Sequence, residues 1–267
     1  MKKLVILFAI VFVIGLFTSC SGGNDPTRPA MTEASTAPKT EPETKPGEYS
    51  TDEDGFLTYE SELLSSERGI DVSSYSGDID WKKVAAQGIK NAMIRIGGRG
   101  YGDEGVLYPD DNSLKNIREA KKNGIKVGGY FYSQAVSADE AAEEAEFAVK
   151  ALAGESLELP VAYDFEYIED DDARTDGVKP SSVSTLANAF CKTMKKAGYK
   201  ATVYGYSEDF GTKYEPEKLK YSDGIWLADY DNRPEIDDNI RIFQYSKDGK
   251  VDGIEGSVDL DLFIIEK

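Results

Sequence analysis

The chain has 267 residues, 40% of them hydrophobic, and a formal net charge of -18 at pH 7. Its length and apolar content can fill a sizeable core, whereas its charge argues against nucleic acid or an anionic lipid surface as an electrostatic partner, because those ligands require clustered Lys and Arg. It contains no His, which excludes Ser-His-Asp hydrolysis and nearly every zinc enzyme. Any chemistry must therefore use carboxylates, Tyr or Lys.

The first twenty residues are typical of a secretion signal. Two lysines precede an apolar run from Leu4 to Phe17, which is shorter than the ~20 residues that a membrane-spanning helix needs. Cys20 ends the sequence LFTSC, which resembles the bacterial lipobox, where the cysteine is lipidated and becomes the mature N-terminus. We predict a lipoprotein anchored to the membrane on the bacterial cell surface through Cys20. An ordinary signal peptide with a chance cysteine is the alternative.

The composition changes between residues 21 and 68 to Pro, Thr, Ser, Glu and Lys. Such a segment cannot bury enough apolar surface to offset its chain entropy. We therefore predict a disordered tether over residues 21–68 and a folded domain over residues 69–267.

The folded domain alternates short strand patterns with amphipathic helix patterns. Eight strands are predicted, at residues 69–75, 91–97, 125–133, 159–166, 200–207, 224–230, 240–246 and 258–263. Helices are predicted at residues 80–87, 112–122, 138–152 and 181–197, and Cys191 falls on the apolar stripe of the last. This alternation predicts an α/β fold, a parallel TIM-like (β/α) barrel of eight strands. The shorter connections between the last strands indicate an incomplete helical ring.

Carboxylates interrupt three of the apolar strands. Asp164 and Glu166 are two residues apart and so share one face of a strand, Asp71 lies in the first strand, and Asp259 and Asp261 share a face of the last. Active sites of such barrels collect at the carboxyl ends of the strands, and buried acids are costly unless they are partnered or used. We predict a carboxylate-based site. The acids from Glu169 onward are predicted to be a solvated loop.

Eight short motifs occur in barrel order: GIDVSSYSGDIDW, AMIRIGGRGYGDEG, GGYFYS, VAYDFE, VYGYS, WLADY, FQYS and VDLDLF. Together they resemble the glycoside hydrolase family 25 muramidases, lysozymes that cut peptidoglycan, over residues 69–267. The resemblance implies that Glu166 is the general acid, that Asp164 is its partner carboxylate, and that Asp71 and Asp259 are acidic residues of the groove. Where the family often has a His after the third strand, this chain has Tyr132 or Ser133.

Aromatic residues near the predicted strand ends complete the expected glycan groove. Flat rings stack on sugar faces, and hydroxyls bond sugar oxygens. The candidates are Tyr130, Tyr132, Tyr204, Tyr206, Trp226, Tyr230 and Tyr245, with Gln244 of the FQYS motif as a further substrate-binding residue. We expect hydrolysis of the β-1,4 bond after N-acetylmuramic acid, with no cofactor and no metal. Retention through the substrate's own acetamido group is preferred, while a carboxylate nucleophile or inversion by water stays open.

Two other readings remain at this point. A catalytically weak glycan-binding surface lipoprotein would keep the aromatic residues but would not need the pair Asp164 and Glu166. A calcium-stabilised surface protein would use the run EDDDARTD as ligands, yet that run lacks the Gly and Glu positions of an EF-hand loop. We expect a monomer whose partners are peptidoglycan strands and the membrane.

Overall fold

The computed structural model describes residues 47–168, 172–237 and 239–267. The predicted signal peptide, Cys20 and residues 21–46 of the predicted tether lie outside the described residues. Within the part that is described, no helix has the length and apolar character needed to cross a membrane.

Eleven strands and four helices make up the described chain. The strands are β1 Glu48–Thr51, β2 Leu57–Glu60, β3 Leu64–Val72, β4 Asn91–Arg99, β5 Leu107–Pro109, β6 Lys126–Ser133, β7 Val161–Phe165, β8 Ala201–Tyr206, β9 Ile225–Ala228, β10 Ile240–Gly249 and β11 Val258–Glu266. The helices are α1 Trp81–Ala86, α2 Ser113–Lys122, α3 Ala138–Ala151 and α4 Pro180–Lys196.

Eight of these strands close into a barrel, which confirms the predicted fold class. Their order is β3-β11-β10-β9-β8-β7-β6-β4, and β3 also pairs with β4 to close the ring. The prediction of an all-parallel barrel is wrong for β11, which runs antiparallel to both β10 and β3. Only residues 250–257 connect β10 to β11. A parallel return needs a crossover of a dozen or more residues, so this connection can only form a hairpin.

The helical ring is incomplete, as predicted. Helices α1 to α4 follow β3, β4, β6 and β7, while the later connections carry only short 3-10 turns at Ser207–Asp209 and Pro216–Lys218. Cys191 is buried on the apolar face of α4, and burial raises the pKa of its thiol to about 12. Cys191 is therefore a packed core thiol, since a thiol with this pKa stays protonated at neutral pH.

A hairpin formed by β1 and β2 precedes the barrel, so the predicted tether is wrong from residue 47 onward. The side chains of Phe56, Leu57 and Tyr59 are buried, and the Tyr49 ring packs edge-on against Phe243 of β10 at 6.0 Å. The hairpin therefore covers part of the barrel wall that no helix covers. Its apolar residues supply the burial that offsets its chain entropy.

Arg68 joins this hairpin to the barrel. Its guanidinium donates to Asp52 at 2.6 and 2.9 Å and to Asp54 at 2.8 Å, and it stacks 4.4 Å from the centre of the Phe56 ring. A third group on the same side chain, Nη1, donates to the carbonyl of Gln87 at 2.6 Å. One residue of β3 thus binds the hairpin and the end of α1 together.

Strand β7 separates the barrel interior from the helical layer. Tyr163 and Phe165 are buried on the outer side, and the Tyr163 ring lies 5.3 Å from Phe190 of α4. Ala162 belongs to the apolar cluster inside the barrel. Because side chains alternate along a strand, Asp164 is directed to the interior with Ala162. This alternation brings an acid into the centre of the barrel.

Candidate active site

A cavity of about 510 Å³ opens at the carboxyl ends of the parallel strands. Its wall contains ten of the residues for which the sequence predicts a catalytic or substrate-binding role: Asp71, Tyr130, Tyr132, Asp164, Glu166, Tyr204, Trp226, Tyr230, Gln244 and Asp259. Tyr206 also lines it. Residues from seven strands thus meet in one groove, as the barrel topology requires for strand-end side chains.

Tyr245 lies elsewhere, so its expected place in the groove is wrong. Its side chain is buried and belongs to the hydrophobic cluster beneath the N-terminal hairpin. Its hydroxyl accepts a hydrogen bond from the backbone N–H of Leu57 at 3.4 Å. Tyr245 follows Gln244 on β10 and therefore points to the opposite face of the strand.

Asp164 and Glu166 lie together in the cavity wall at the end of β7. Asp164 is 5% exposed, and Glu166 is half-buried at the cavity wall. Burial, followed by repulsion from Glu166, raises the pKa of Asp164 well above its usual range. Burial also raises the pKa of Glu166, against the opposing effects of Lys213 and of a hydrogen bond with Asp164. Neighbouring carboxyls that repel each other do not ionise together readily, and the deeper one holds its proton more tightly.

Two residues that the sequence analysis missed fix the backbone around this pair. Gln134, in the loop after β6, donates from Nε2 to the carbonyl of Glu166 at 2.7 Å. Lys213 donates from Nζ to the carbonyl of Phe165 at 3.3 Å and to Asp209 at 2.9 Å. The contacts with the carbonyls of Glu166 and Phe165 join residues 32 and 48 positions apart in the chain, and no local pattern signals them.

Asp71 is held from the side by Gln244. The Gln244 amide donates to Asp71 Oδ2 at 2.7 Å, while its Oε1 accepts from the hydroxyls of Tyr204 at 2.9 Å and Tyr230 at 2.8 Å. Burial, followed by repulsion from Asp261 and Asp259, raises the pKa of Asp71. Several buried carboxyls in one interior cannot all ionise together, so the groove floor retains protons at neutral pH.

Asp259 and Asp261 contribute the acids of β11. Asp259 pairs in register with Asp71 of β3, and burial is the main cause that raises its pKa to about 6. Asp261 lies deeper, where its Oδ1 accepts from Trp226 Nε1 at 2.9 Å and burial raises its pKa to about 8. The last strand thus supplies one carboxyl to the cavity wall and a second beneath it.

Arg95 is a further groove residue that the sequence analysis missed. It donates from Nε to Asp110 at 2.9 Å and from Nη2 to Ser74 at 3.1 Å. The Tyr75 ring, 89% exposed at the cavity rim, stacks 4.7 Å from its guanidinium carbon. A charged residue inside the apolar strand AMIRIGG is the same kind of signal as the strand acids, and it could have identified Arg95.

Among the residues that the structure describes, no group of three or more Asp, Glu or Cys side chains is arranged to hold an ion. Residues 169–171 of the acidic run considered for calcium lie outside the described residues.

Comparison with known proteins identifies the family. The model of glycosyl hydrolases family 25 matches residues 70–254. The chain belongs to glycosyl hydrolase family 25. The autolytic lysozyme of Clostridium acetobutylicum is 30% identical over 197 residues, which are 73% of this chain and 55% of that protein.

Solved structures of this family share the fold. The modular autolysin LytC from Streptococcus pneumoniae superposes with a TM-score of 0.65 at 25% identity, over 80% of this chain and 50% of that one. A family 25 glycosyl hydrolase from Bacillus anthracis superposes with a TM-score of 0.60 at 26% identity, over 74% of this chain and 88% of that one. The chain therefore spans about half the length of the Clostridium and Streptococcus proteins.

Proposed function

We propose that the protein is a cell-wall lysozyme that hydrolyses the β-1,4 bond between N-acetylmuramic acid and N-acetylglucosamine in peptidoglycan. The observation that carries the proposal is the pair Asp164 and Glu166 in the aromatic-lined cavity of a family 25 barrel. Glycoside hydrolysis needs one carboxyl that donates a proton and one negative group that supports the oxocarbenium-like centre. The names of an autolytic lysozyme and an autolysin among the similar proteins support the same substrate.

Glu166 is the general acid of this proposal. It is the more exposed member of the pair, and burial raises its pKa, which favours a carboxyl that still carries a proton near neutral pH. In the free site the deeper Asp164 holds its proton more tightly. When a substrate N–H binds Asp164 it stabilises the ionised form of that acid, and the proton then moves to Glu166. Glu166 passes this proton to the leaving glycosidic oxygen.

Asp164 orients the nucleophile. The Asp164 carboxylate accepts a hydrogen bond from the acetamido N–H of the substrate. The acetamido oxygen then attacks the anomeric carbon as the glycosidic bond breaks. The resulting oxazolinium ion is opened by a water that gives its proton to Glu166, which restores the acid and leaves the product with retained configuration. Muramic residues without the N-acetyl group then lack a nucleophile and become very poor substrates.

The groove walls hold the sugar chain. Tyr130 and Trp226 pack edge to face at 5.8 Å, and Tyr206 packs edge to face with Tyr230 at 6.0 Å. Tyr130, Tyr206 and Tyr230 are half-buried at the cavity wall and offer hydroxyls and ring surface to a glycan, whereas the Trp226 ring is buried behind them. Asp71, held by Gln244, and Asp259 offer acceptors for sugar hydroxyls at the groove floor.

The proposal is tested by digestion of purified peptidoglycan. The products are reduced with borohydride and their sugars analysed, and we expect reduced muramic acid. Reduced glucosamine would make the protein a glucosaminidase, and binding without new reducing ends would favour the glycan-binding reading. NMR of the first-formed anomer checks the mechanism: a β anomer supports retention, whereas an α anomer indicates inversion by water.

We also propose that the mature protein begins at Cys20 and is held to the membrane by lipid. The lipobox-like sequence LFTSC supports this anchor. Mass spectrometry of the N-terminus and membrane fractionation of wild type and Cys20→Ala test it. An unmodified N-terminus, or unchanged membrane association of the variant, would contradict the anchor and leave the enzymatic proposal intact.

A further inference from the structure

A second cavity, of about 600 Å³, branches from the groove beside the proposed general acid. It shares Glu166 and Tyr206 with the groove and continues away from it. Its other wall residues are Tyr167, Pro180, Glu208, Asp209, Thr212 and Lys213. The volume falls in the range of ~300–1,000 Å³ that is usual for ligand sites. The glycan chain itself does not account for a branch at this position.

The chemistry of the substrate does account for it. If the bond after N-acetylmuramic acid is cut, the sugar next to Glu166 carries a lactyl ether from which the peptide stem extends. The side cavity offers that substituent an exit beside the general acid. We propose that the side cavity defined by the residues above binds the peptide stem of the muramic residue at the cleavage point. This inference rests on the proposed function. It identifies the peptide stem as a part of peptidoglycan that the enzyme recognises in addition to the sugars.

Lys213 makes the inner end of the side cavity suitable for binding amide groups. It is 8% exposed, and its ammonium donates to the Phe165 carbonyl and to Asp209. An ammonium group has three N–H donors, so one remains for a carbonyl of the lactyl amide or of the first peptide bond. The charges of Lys213 and Asp209 offset each other, which favours neutral amides at this end over an ionised carboxylate.

The side walls of the cavity are fixed before any stem binds. The Tyr167 hydroxyl donates to the carbonyl of Val178 at 2.8 Å, and its ring stacks edge-on against Phe165 at 5.2 Å. Pro180 opens helix α4 on the same side. A preformed wall lowers the entropy cost of binding a flexible peptide. The exposed residues Thr212 and Glu208 border the cavity, so bulk placed there would obstruct it without disturbing the core.

The test compares one glycan with and without its stems. Glycan strands are used intact or after an amidase has removed the peptides, and kcat/KM is measured on both. We expect the wild type to prefer the strands that carry stems. Thr212→Trp should lower the ratio of the two kcat/KM values by about tenfold, equivalent to ~1.4 kcal/mol of binding. Glu208→Trp, which obstructs the cavity from a second position, should act in the same direction.

Thr51→Trp is the matched control, because Thr51 is an exposed threonine on the N-terminal hairpin. It should leave the ratio at its wild-type value, and thermal unfolding should show that all three variants are folded. If both cavity variants keep the wild-type ratio, the stem site is wrong although the lysozyme proposal stands. If the wild type releases no reducing ends from either substrate, the lysozyme proposal fails instead.

Discussion

Gln244 and Asp71 are joined across the barrel by a 2.7 Å hydrogen bond between residues 173 positions apart in the chain. The same amide accepts hydrogen bonds from Tyr204 and Tyr230. One side chain of β10 therefore sets the position of an acid on β3 and of two aromatic residues on the opposite wall. The shape of the groove depends on this amide as much as on the residues that touch the substrate.

Replacement of this amide should reduce both activity and stability. In Gln244→Leu, Asp71 loses a donor and the two tyrosine hydroxyls lose their acceptor. Unpaired buried polar groups cost about 1–3 kcal/mol each, so we expect a lower melting temperature, and because Asp71 and the two tyrosines lose their fixed positions, we expect kcat/KM on peptidoglycan to fall by roughly 10- to 100-fold. Steady-state kinetics together with the melting temperature would measure both effects. Wild-type kcat/KM in a folded Gln244→Leu protein would show that the amide does not organise the groove.

Asp261 should make the fold less stable as the pH rises. Burial raises its pKa from 3.8 to about 8, so between these values the folded protein holds a proton that the unfolded chain releases. The free energy of unfolding therefore falls as pH increases through this window. Asp261→Asn keeps an acceptor for Trp226 and removes the titration.

Urea unfolding of wild type and Asp261→Asn at pH 5, 7 and 9 tests this linkage. We expect the stability advantage of the variant over the wild type to be smallest at pH 5 and largest at pH 9. Asp259, whose pKa is raised to about 6, and Asp71 titrate in both proteins, and the variant also removes the repulsion between Asp261 and these two acids. Stability profiles that run parallel from pH 5 to pH 9 would mean that Asp261 does not carry the proton.

The N-terminal hairpin should contribute to the stability of the barrel. Phe56 is 4% exposed and stacks under Arg68, and truncation of a buried Phe to Ala costs about 3–5 kcal/mol. Phe56→Ala should lower the free energy of unfolding by this amount, as measured with urea. Leu63→Ala is the control, because Leu63 is 61% exposed and should change stability by no more than about 0.5 kcal/mol. Equal stability of the two variants would mean that the hairpin is not part of the folded unit.

Much of the fold could be predicted because local patterns specify it. The eight barrel strands and four helices follow from periodicity, and the i, i+2 spacing of Asp164 and Glu166 places them on one face of a strand. The direction of β11 could not be predicted in the same way, since alternation is identical in parallel and antiparallel strands. The hairpin was missed because the few apolar residues around Phe56 lie in a segment rich in polar residues.

The residues that support the site through backbone contacts could not be predicted from the sequence. Gln134 and Lys213 act through hydrogen bonds to backbone carbonyls beside Glu166, 32 and 48 residues away in the chain. Neither residue lies in a strand that contains acidic or aromatic residues. A single Gln or Lys in a loop is ordinarily solvated. Only the packing of the loops around the carboxyl ends of the strands brings them to the pair.

The central claim is that Glu166 supplies the proton that breaks the glycosidic bond, and the most direct measurement is the turnover of Glu166→Gln on purified peptidoglycan. The variant keeps the shape of the side chain and removes the acid, so the rate should fall by at least ~100-fold while the melting transition stays close to that of the wild type. Asp172→Asn removes an exposed acid six residues along the chain and should retain the wild-type rate. Lysis at near-wild-type rate by a folded Glu166→Gln protein would contradict the assignment.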